Sequence, residues 1–254
     1  MVHGSFGASA TQASKSDGRT AAYFHVDRHS IFVTGGSGYI GRPLIAELVA
    51  RGHNVRALVR TGSEQKLPQG CESVVANALD ASSYLNRIAP CDTFVQLVGV
   101  AHPSPAKAAE FRAIDRASGL GAVAAAAQAH IQHFIYLSVA QPAPMMEGYI
   151  RVRAECERAL LESGMNVTLV RPWYVLGRGH RWPYALLPMY WLCSLIPSTR
   201  ESALRLGLVT LEQMVRTLVS AVENPSIGAR FIEVPQIRKG EVPRSLPLKA
   251  ASRA

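Results

Sequence analysis

The chain has 254 residues, 48% of them hydrophobic and 18% charged, with a formal net charge of +9. That is enough chain for one α/β domain with a full core, and the composition is that of an ordinary globular protein rather than a disordered or fibrous one. The charge is not concentrated in one interior stretch; of the 27 basic residues, Lys15, Arg19 and Arg28 lie near the start and Arg238, Lys239, Arg244, Lys249 and Arg253 near the finish. They read as solvated tails, and no nucleic-acid motif accompanies them.

Residues 1–29 are rich in Ser, Ala, Thr and Gly and lack an apolar run of the kind a secretory signal needs. They are expected to form a disordered extension. The apolar run that follows enters a glycine cluster, Thr34-Gly35-Gly36-Ser37-Gly38-Tyr39-Ile40-Gly41. Helical spacing resumes from Tyr39 to Arg51, with Ile40, Leu44, Ile45, Leu48 and Val49 on one face. A strand, a glycine-rich turn and a helix in that order suit a dinucleotide. The glycines allow a tight turn, backbone approach to a pyrophosphate and close helix–sheet packing, and the helix start offers free N–H groups.

Further strands are expected at 54–59, 73–75, 93–98, 134–137, 166–170 and 230–234. Helices are expected at 81–88, 106–129, 149–163 and 211–223. Alternation of this kind predicts a doubly wound parallel sheet, the Rossmann arrangement, in a single domain over 30–236. A short substrate lid is expected near 172–210, and a flexible basic tail over 237–254. Ligands of such sheets bind beyond the carboxyl ends of the strands.

About 20 residues beyond the glycines, an acid would bond a ribose 2′-hydroxyl, whereas an arginine would accommodate a 2′-phosphate. The sequence there is Val55-Arg56-Ala57-Leu58-Val59-Arg60, with no acid before Glu64. Arg60 therefore points to NADP(H) in preference to NAD(H). Asn77 and Asp80 are candidates for the adenine edge, with a turn or helix cap as the alternative for Asp80. Gly99 reads as a point of backbone approach to a ligand. His102 is a substrate-side candidate or a solvated loop residue. Cys71, Cys91, Cys156 and Cys193 lack metal or redox spacing and read as reduced thiols, which places the protein in the cytoplasm. No metal site is expected.

The glycine cluster, Leu97-Val98-Gly99-Val100-Ala101-His102, Tyr136-Leu137-Ser138, Tyr149-Ile-Arg-Val-Arg153 and Arg171-Pro172-Trp173-Tyr174-Val175-Leu176-Gly177 occur in order over about Ile31 to Gly179. Together they resemble the extended and atypical short-chain dehydrogenases/reductases, the epimerase/dehydratase-like group. The resemblance implies a catalytic trio. Tyr149 would be the acid/base and Ser138 would bond the substrate oxygen. Arg153 would stand where the family has a lysine that holds the nicotinamide ribose. It also implies that Val98, Gly99 and Val100 line the cofactor and that Pro172 lies near the nicotinamide. An ordinary structural role for the trio would pair Arg153 with Glu157 one turn on.

Trp173 and Tyr174, with His180, Trp182, Tyr184 and the apolar run 185–196, would roof a pocket for a small apolar or aromatic substrate. That run is too short to span a bilayer, but it offers a peripheral membrane contact or an oligomer contact, in a monomer or homodimer. Two functions follow from these readings. One is an NADPH-dependent reductase of a carbonyl-type substrate. The other is a non-catalytic dinucleotide-binding sensor or assembly subunit.

Overall fold

The computed structural model describes residues 28–101, 103–143, 146–177 and 205–251. Seven parallel strands form the main sheet in the order β3-β2-β1-β4-β5-β6-β9. They are β1 (Ser30–Thr34), β2 (Asn54–Val59), β3 (Glu72–Val75), β4 (Thr93–Gln96), β5 (His133–Leu137), β6 (Asn166–Arg171) and β9 (Ala229–Glu233). A separate parallel pair joins β7 (Tyr174–Leu176) to β8 (Leu208–Thr210). The chain order reverses between β1 and β4, which opens the crevice in which doubly wound sheets bind ligands.

The strands are apolar almost throughout because helices cover both faces. Alternation then sorts the side chains between two cores. Ile31 and Val33 face a core with Leu44, Ile45 and Leu48 of α1 (Gly41–Ala50) and with Leu218 and Val222 of α5 (Leu211–Glu223). Phe32 faces the other core, with Ala122 of α3 (Ala117–Gln128) and Leu160 of α4 (Glu147–Glu162). Register places Phe32 beside Phe94 and Phe94 beside Phe134. Their rings meet at 5.3 Å and 4.9 Å, so one aromatic row ties three neighbouring strands together.

Three expected elements differ from those observed. The helix expected at 81–88 is two short 3₁₀ turns, Ala81–Ser83 and Leu85–Arg87. Asp80 accepts from both the N–H and the hydroxyl of Ser82, a local bonding pattern that competes with a longer helix. The helix expected over 106–129 is interrupted. After α2 (Ala108–Glu110), residues Phe111–Arg116 form a π-helical turn that leads into α3.

The third difference concerns the basic tail. Residues Val234–Lys239 form α6 and Leu248–Ala251 form α7. Between them, Ala229 and Leu246 exchange backbone hydrogen bonds of 2.8 Å and 2.6 Å. Leu246 thereby pairs with the outer strand β9. Ala251 is 3% exposed, so this segment is packed on the domain. Among the described residues, no helix is long and apolar enough to cross a membrane.

Candidate cofactor and catalytic site

The glycines of the cluster differ in how many neighbours a side chain would meet. Gly35 has φ +73°, and a Cβ there would stand 3.1 Å from the Leu97 carbonyl carbon and the Val98 nitrogen. The turn after β1 is thus pressed against the exit of β4. A Cβ on Gly36 would meet Ala57 at 2.8 Å and Ile45 at 2.9 Å, and one on Gly41 would strike the Gly35 and Gly36 carbonyls. Gly38 is exposed, and its added Cβ would approach only the Gly35 oxygen, at 3.0 Å. A side chain at Gly38 would crowd one backbone oxygen and otherwise point into open space, where a phosphate could lie across the bare backbone.

Behind Gly38, α1 has Ile40 as its N-cap, with no side-chain cap hydrogen bond and no acid in its first turn. Its amino end is open to an anion. Ser37, Tyr39 and Ile40 are half-buried around it, and the Tyr39 hydroxyl lies against Gly177 at the end of β7. Arg60 follows β2, exposed and without a side-chain partner among the described residues. Asn77 and Asp80 are also exposed, but both carboxamide and carboxylate serve local turns. Asn77 Oδ1 accepts the Leu79 N–H at 3.0 Å, and Asp80 caps the 3₁₀ turn.

The centre of the site is a buried ion pair that sequence reasoning missed. Arg153 and Asp115 are 4% and 1% exposed, and Arg153 Nη2 donates to Asp115 Oδ1 at 2.6 Å. Arg153 Nη1 donates to the Leu137 carbonyl at 2.7 Å and to the Tyr136 hydroxyl at 3.3 Å. The other Asp115 oxygen accepts the Val100 N–H at 3.1 Å. One pair therefore joins α4, the π-helical turn, the end of β5 and the loop after β4. Glu157, the partner an ordinary structural role would give Arg153, is engaged elsewhere. It accepts from Arg171 Nη2 at 2.5 Å and from Gln141 at 2.7 Å, and Arg171 also reaches Glu233 at 2.9 Å.

Gly99 acquires a different explanation from the one expected. A Cβ there would run into the Arg153 guanidinium and stand 2.9 Å from Asp115 Oδ1. The missing side chain makes room for the ion pair. The signal that could have found Asp115 is its position: Phe111, Asp115, Ser118 and Ala122 fall on one helical face, and all are buried. An acid on that stripe needs an internal partner.

Tyr149 is half-buried, its ring 4.9 Å from that of Phe111 and 5.1 Å from the Arg153 guanidinium carbon. Burial raises its hydroxyl above the ordinary tyrosine range; the Arg153 charge opposes this rise and the Asp115 charge adds to it. Burial also lifts the Asp115 carboxyl, with Arg153 and the Val100 N–H pulling it back. Burial works against the Arg153 charge, but Tyr136, Tyr149 and Asp115 more than offset it. Ser138 is 4% exposed, and its Oγ has no hydrogen-bond partner among the described residues.

Pro172 is buried, its carbonyl accepting the Ala140 N–H at 2.9 Å. Trp173 and Tyr174 are half-buried, their rings 5.6 Å apart and nearly perpendicular. Val98 and Val100 are also half-buried. His102, His180, Trp182, Tyr184 and the run 185–196 lie outside the described residues, as do most of the lid and residues 1–27.

A family model described as NAD(P)H-binding matches residues 35–181. The chain is 32% identical over 171 residues to a 4-hydroxy-2-methyl-3-oxo-4-farnesyl-3,4-dihydroquinoline-1-oxide ketoreductase of Stigmatella aurantiaca, a match covering 58% of this chain and 50% of that protein. It is 28% identical over 231 residues to a 3-diazoavenalumate denitrifying reductase of a Streptomyces species, covering 80% and 75%. The chain thus spans half the length of the first relative and three-quarters of the second. Among solved structures, WbmH of Bordetella bronchiseptica in complex with NAD+ superposes with a TM-score of 0.61 at 18% identity, covering 89% of this chain and 79% of that one. At that identity the likeness is one of fold.

Proposed function

This chain belongs to the NAD(P)H-binding family, and from that premise we propose that it is an NADPH-dependent reductase of a small apolar or aromatic carbonyl compound. The observation that carries the reading is the Ser138 hydroxyl, buried and without a partner among the described residues, at the carboxyl end of β5. A buried polar group left unbonded costs about 1–3 kcal/mol, and a substrate oxygen would remove that cost. Both relatives described above are named as reductases, one a ketoreductase.

The residues suit the cofactor. Gly35, Ser37, Gly38, Tyr39, Ile40 and Gly41 would hold the pyrophosphate at the open end of α1. Arg60 would meet a 2′-phosphate, and Asn77 keeps its side-chain N–H groups for the adenine. Asp80, spent on its cap, would contribute only its position. Val98, Gly99, Val100 and Pro172 would flank the nicotinamide ring, whose reduced form supplies a hydride. Tyr149 gives its hydroxyl proton to the substrate carbonyl oxygen and is reprotonated from solvent. Ser138 donates to the same oxygen and fixes its orientation. Trp173 and Tyr174 offer aromatic surface to the rest of the substrate.

The second reading, a dinucleotide-binding protein without turnover, is favoured by one observation. Both terminal nitrogens of Arg153 are committed to Asp115, Leu137 and Tyr136 rather than free for a ribose. Titration with NADPH and NADH, followed by turnover on aldehydes, ketones, quinones and enones, separates the two. The reductase reading predicts NADPH bound roughly ten- to a hundredfold more tightly, the range of one charge-assisted contact, and oxidised by at least one carbonyl class. Arg60→Ala should abolish the preference. Equal affinities for the two dinucleotides would remove the assignment of Arg60.

A further inference from the structure

The buried ion pair carries an inference about how the tyrosine is used. We propose that Asp115 is a positioning residue: by holding and neutralising Arg153 against the ring of Tyr149, it offsets the positive charge that would otherwise stabilise a Tyr149 phenolate. The inference rests on the reading of Tyr149 as the acid and extends it by naming the group that offsets the arginine charge beside it.

The geometry supports this directly. Arg153 Nη2 is 2.6 Å from Asp115 Oδ1, and the guanidinium carbon is 5.1 Å from the Tyr149 ring centre. An unpaired guanidinium at that distance would favour the phenolate, as an opposite charge within 4–6 Å typically lowers a pKa by about one to three units. Paired with a carboxylate, it acts as a dipole, and its attraction for a phenolate is largely cancelled.

The other groups packed around Tyr149 do not restore the lost charge. The π-helical turn presents Phe111, which is apolar, and Asp115 itself. From β5 comes Tyr136, whose hydroxyl accepts from Arg153 at 3.3 Å and is held well above the ordinary tyrosine range, chiefly by burial. Cys156, one turn beyond Arg153 on α4, is a buried thiol raised by burial and neutral at physiological pH. The neighbouring segment before the π-helical turn carries Lys107 and Glu110, 4.0 Å apart, and the turn carries exposed Arg112 and Arg116, the latter paired with Glu155 at 2.7 Å; the charges with the largest effect on Tyr149 are Arg153 and Asp115. They are anchored at both ends, by the Leu137 carbonyl at 2.7 Å and the Val100 N–H at 3.1 Å. A neutral phenol can give a proton to a carbonyl oxygen but is a poor acceptor for one from an alcohol.

The test is an NMR titration of the intact protein labelled at tyrosine Cζ, with the Tyr149 signal assigned by its loss in Tyr149→Phe. It needs neither dinucleotide nor substrate. Asp115→Asn keeps an acceptor for the Val100 N–H while removing the charge, and should lower the Tyr149 midpoint by about one unit or more. Arg153→Met should raise it above wild type. Asp115→Asn combined with Arg153→Met should return it close to wild type, which a purely structural role of Asp115 would not produce. If Asp115→Asn alone does not fold, the double variant should still titrate below Arg153→Met. An unshifted or raised midpoint in Asp115→Asn, or a double variant that matches Arg153→Met, overturns the proposal. A protein that shows the expected order yet turns over no carbonyl keeps this assignment of charge and loses the reductase reading alone.

Discussion

The space in which Gly99 would carry a side chain is filled by the guanidinium of Arg153. A residue in the loop after β4 and a residue on α4 are thereby interlocked, with Asp115 closing the contact from the π-helical turn. Gly99→Ala should accordingly destabilise the protein by about 1–3 kcal/mol, the usual cost of overpacking a filled interior. Gly148→Ala, where the nearest atom to an added Cβ is 3.7 Å away, should cost nothing measurable. Urea unfolding of both variants checks the contrast, and equal stability would mean that the loop moves aside freely.

The glycine cluster makes a sharper prediction. Gly38→Val should abolish dinucleotide binding and leave the fold intact, because a side chain there meets one oxygen of the protein and otherwise the space a pyrophosphate would take. Gly41→Ala should instead damage the fold, since its Cβ would stand 2.7 Å from the Gly36 carbonyl oxygen. Circular dichroism with a binding titration separates the two. Undiminished binding by Gly38→Val would reduce the cluster to a structural turn.

Much of the fold was legible in the sequence because the apolar runs of β1, β4, β5 and β6 are short, bounded and separated by helical spacing. The helix Leu211–Glu223 was readable to the residue because Thr210 and Gln213 form a capping box around an amphipathic face. The interruption at Phe111–Arg116 was not readable. It coincides with the ion pair of Asp115 to a residue nearly 40 positions away, and no local pattern encodes such a partner. The same cause hid the partner of Arg153. Glu157 lay at the right helical spacing, but Arg171 and Gln141 claim it through contacts between β6, the loop after β5 and α4. The basic tail was misjudged because Arg238, Lys239 and Arg244 are exposed while its anchors, the Leu246 backbone and Ala251, carry no pattern.

His133 gives a pH dependence of stability. It is buried on β5 with Nε2 2.9 Å from Thr168 Oγ1, and burial, aided by the charge of Arg230, pushes it down to about 3. The unfolded residue takes a proton near the ordinary value of 6.5 and the folded one only near 3. Between these values the unfolded state binds more protons, so the native state is fully favoured above the upper value and loses stability as pH falls toward the lower. His53, also lowered by burial, acts in the same direction. His133→Gln should flatten this fall by up to ~1.4 kcal/mol per pH unit, the limit for one proton. Denaturant midpoints at a series of pH values test this, and identical slopes for variant and wild type would count against it.

The central claim is that Tyr149 donates the proton in an NADPH-dependent reduction, and its most direct test is Tyr149→Phe. NADPH affinity and turnover should be measured side by side on whichever carbonyl the wild type reduces. The account predicts turnover lowered by about a hundredfold or more with NADPH affinity unchanged, the signature of a lost general acid. A wild-type protein that binds NADPH tightly yet oxidises it no faster than solvent does across aldehydes, ketones, quinones and enones would contradict the account, as would a Tyr149→Phe variant as active as the wild type.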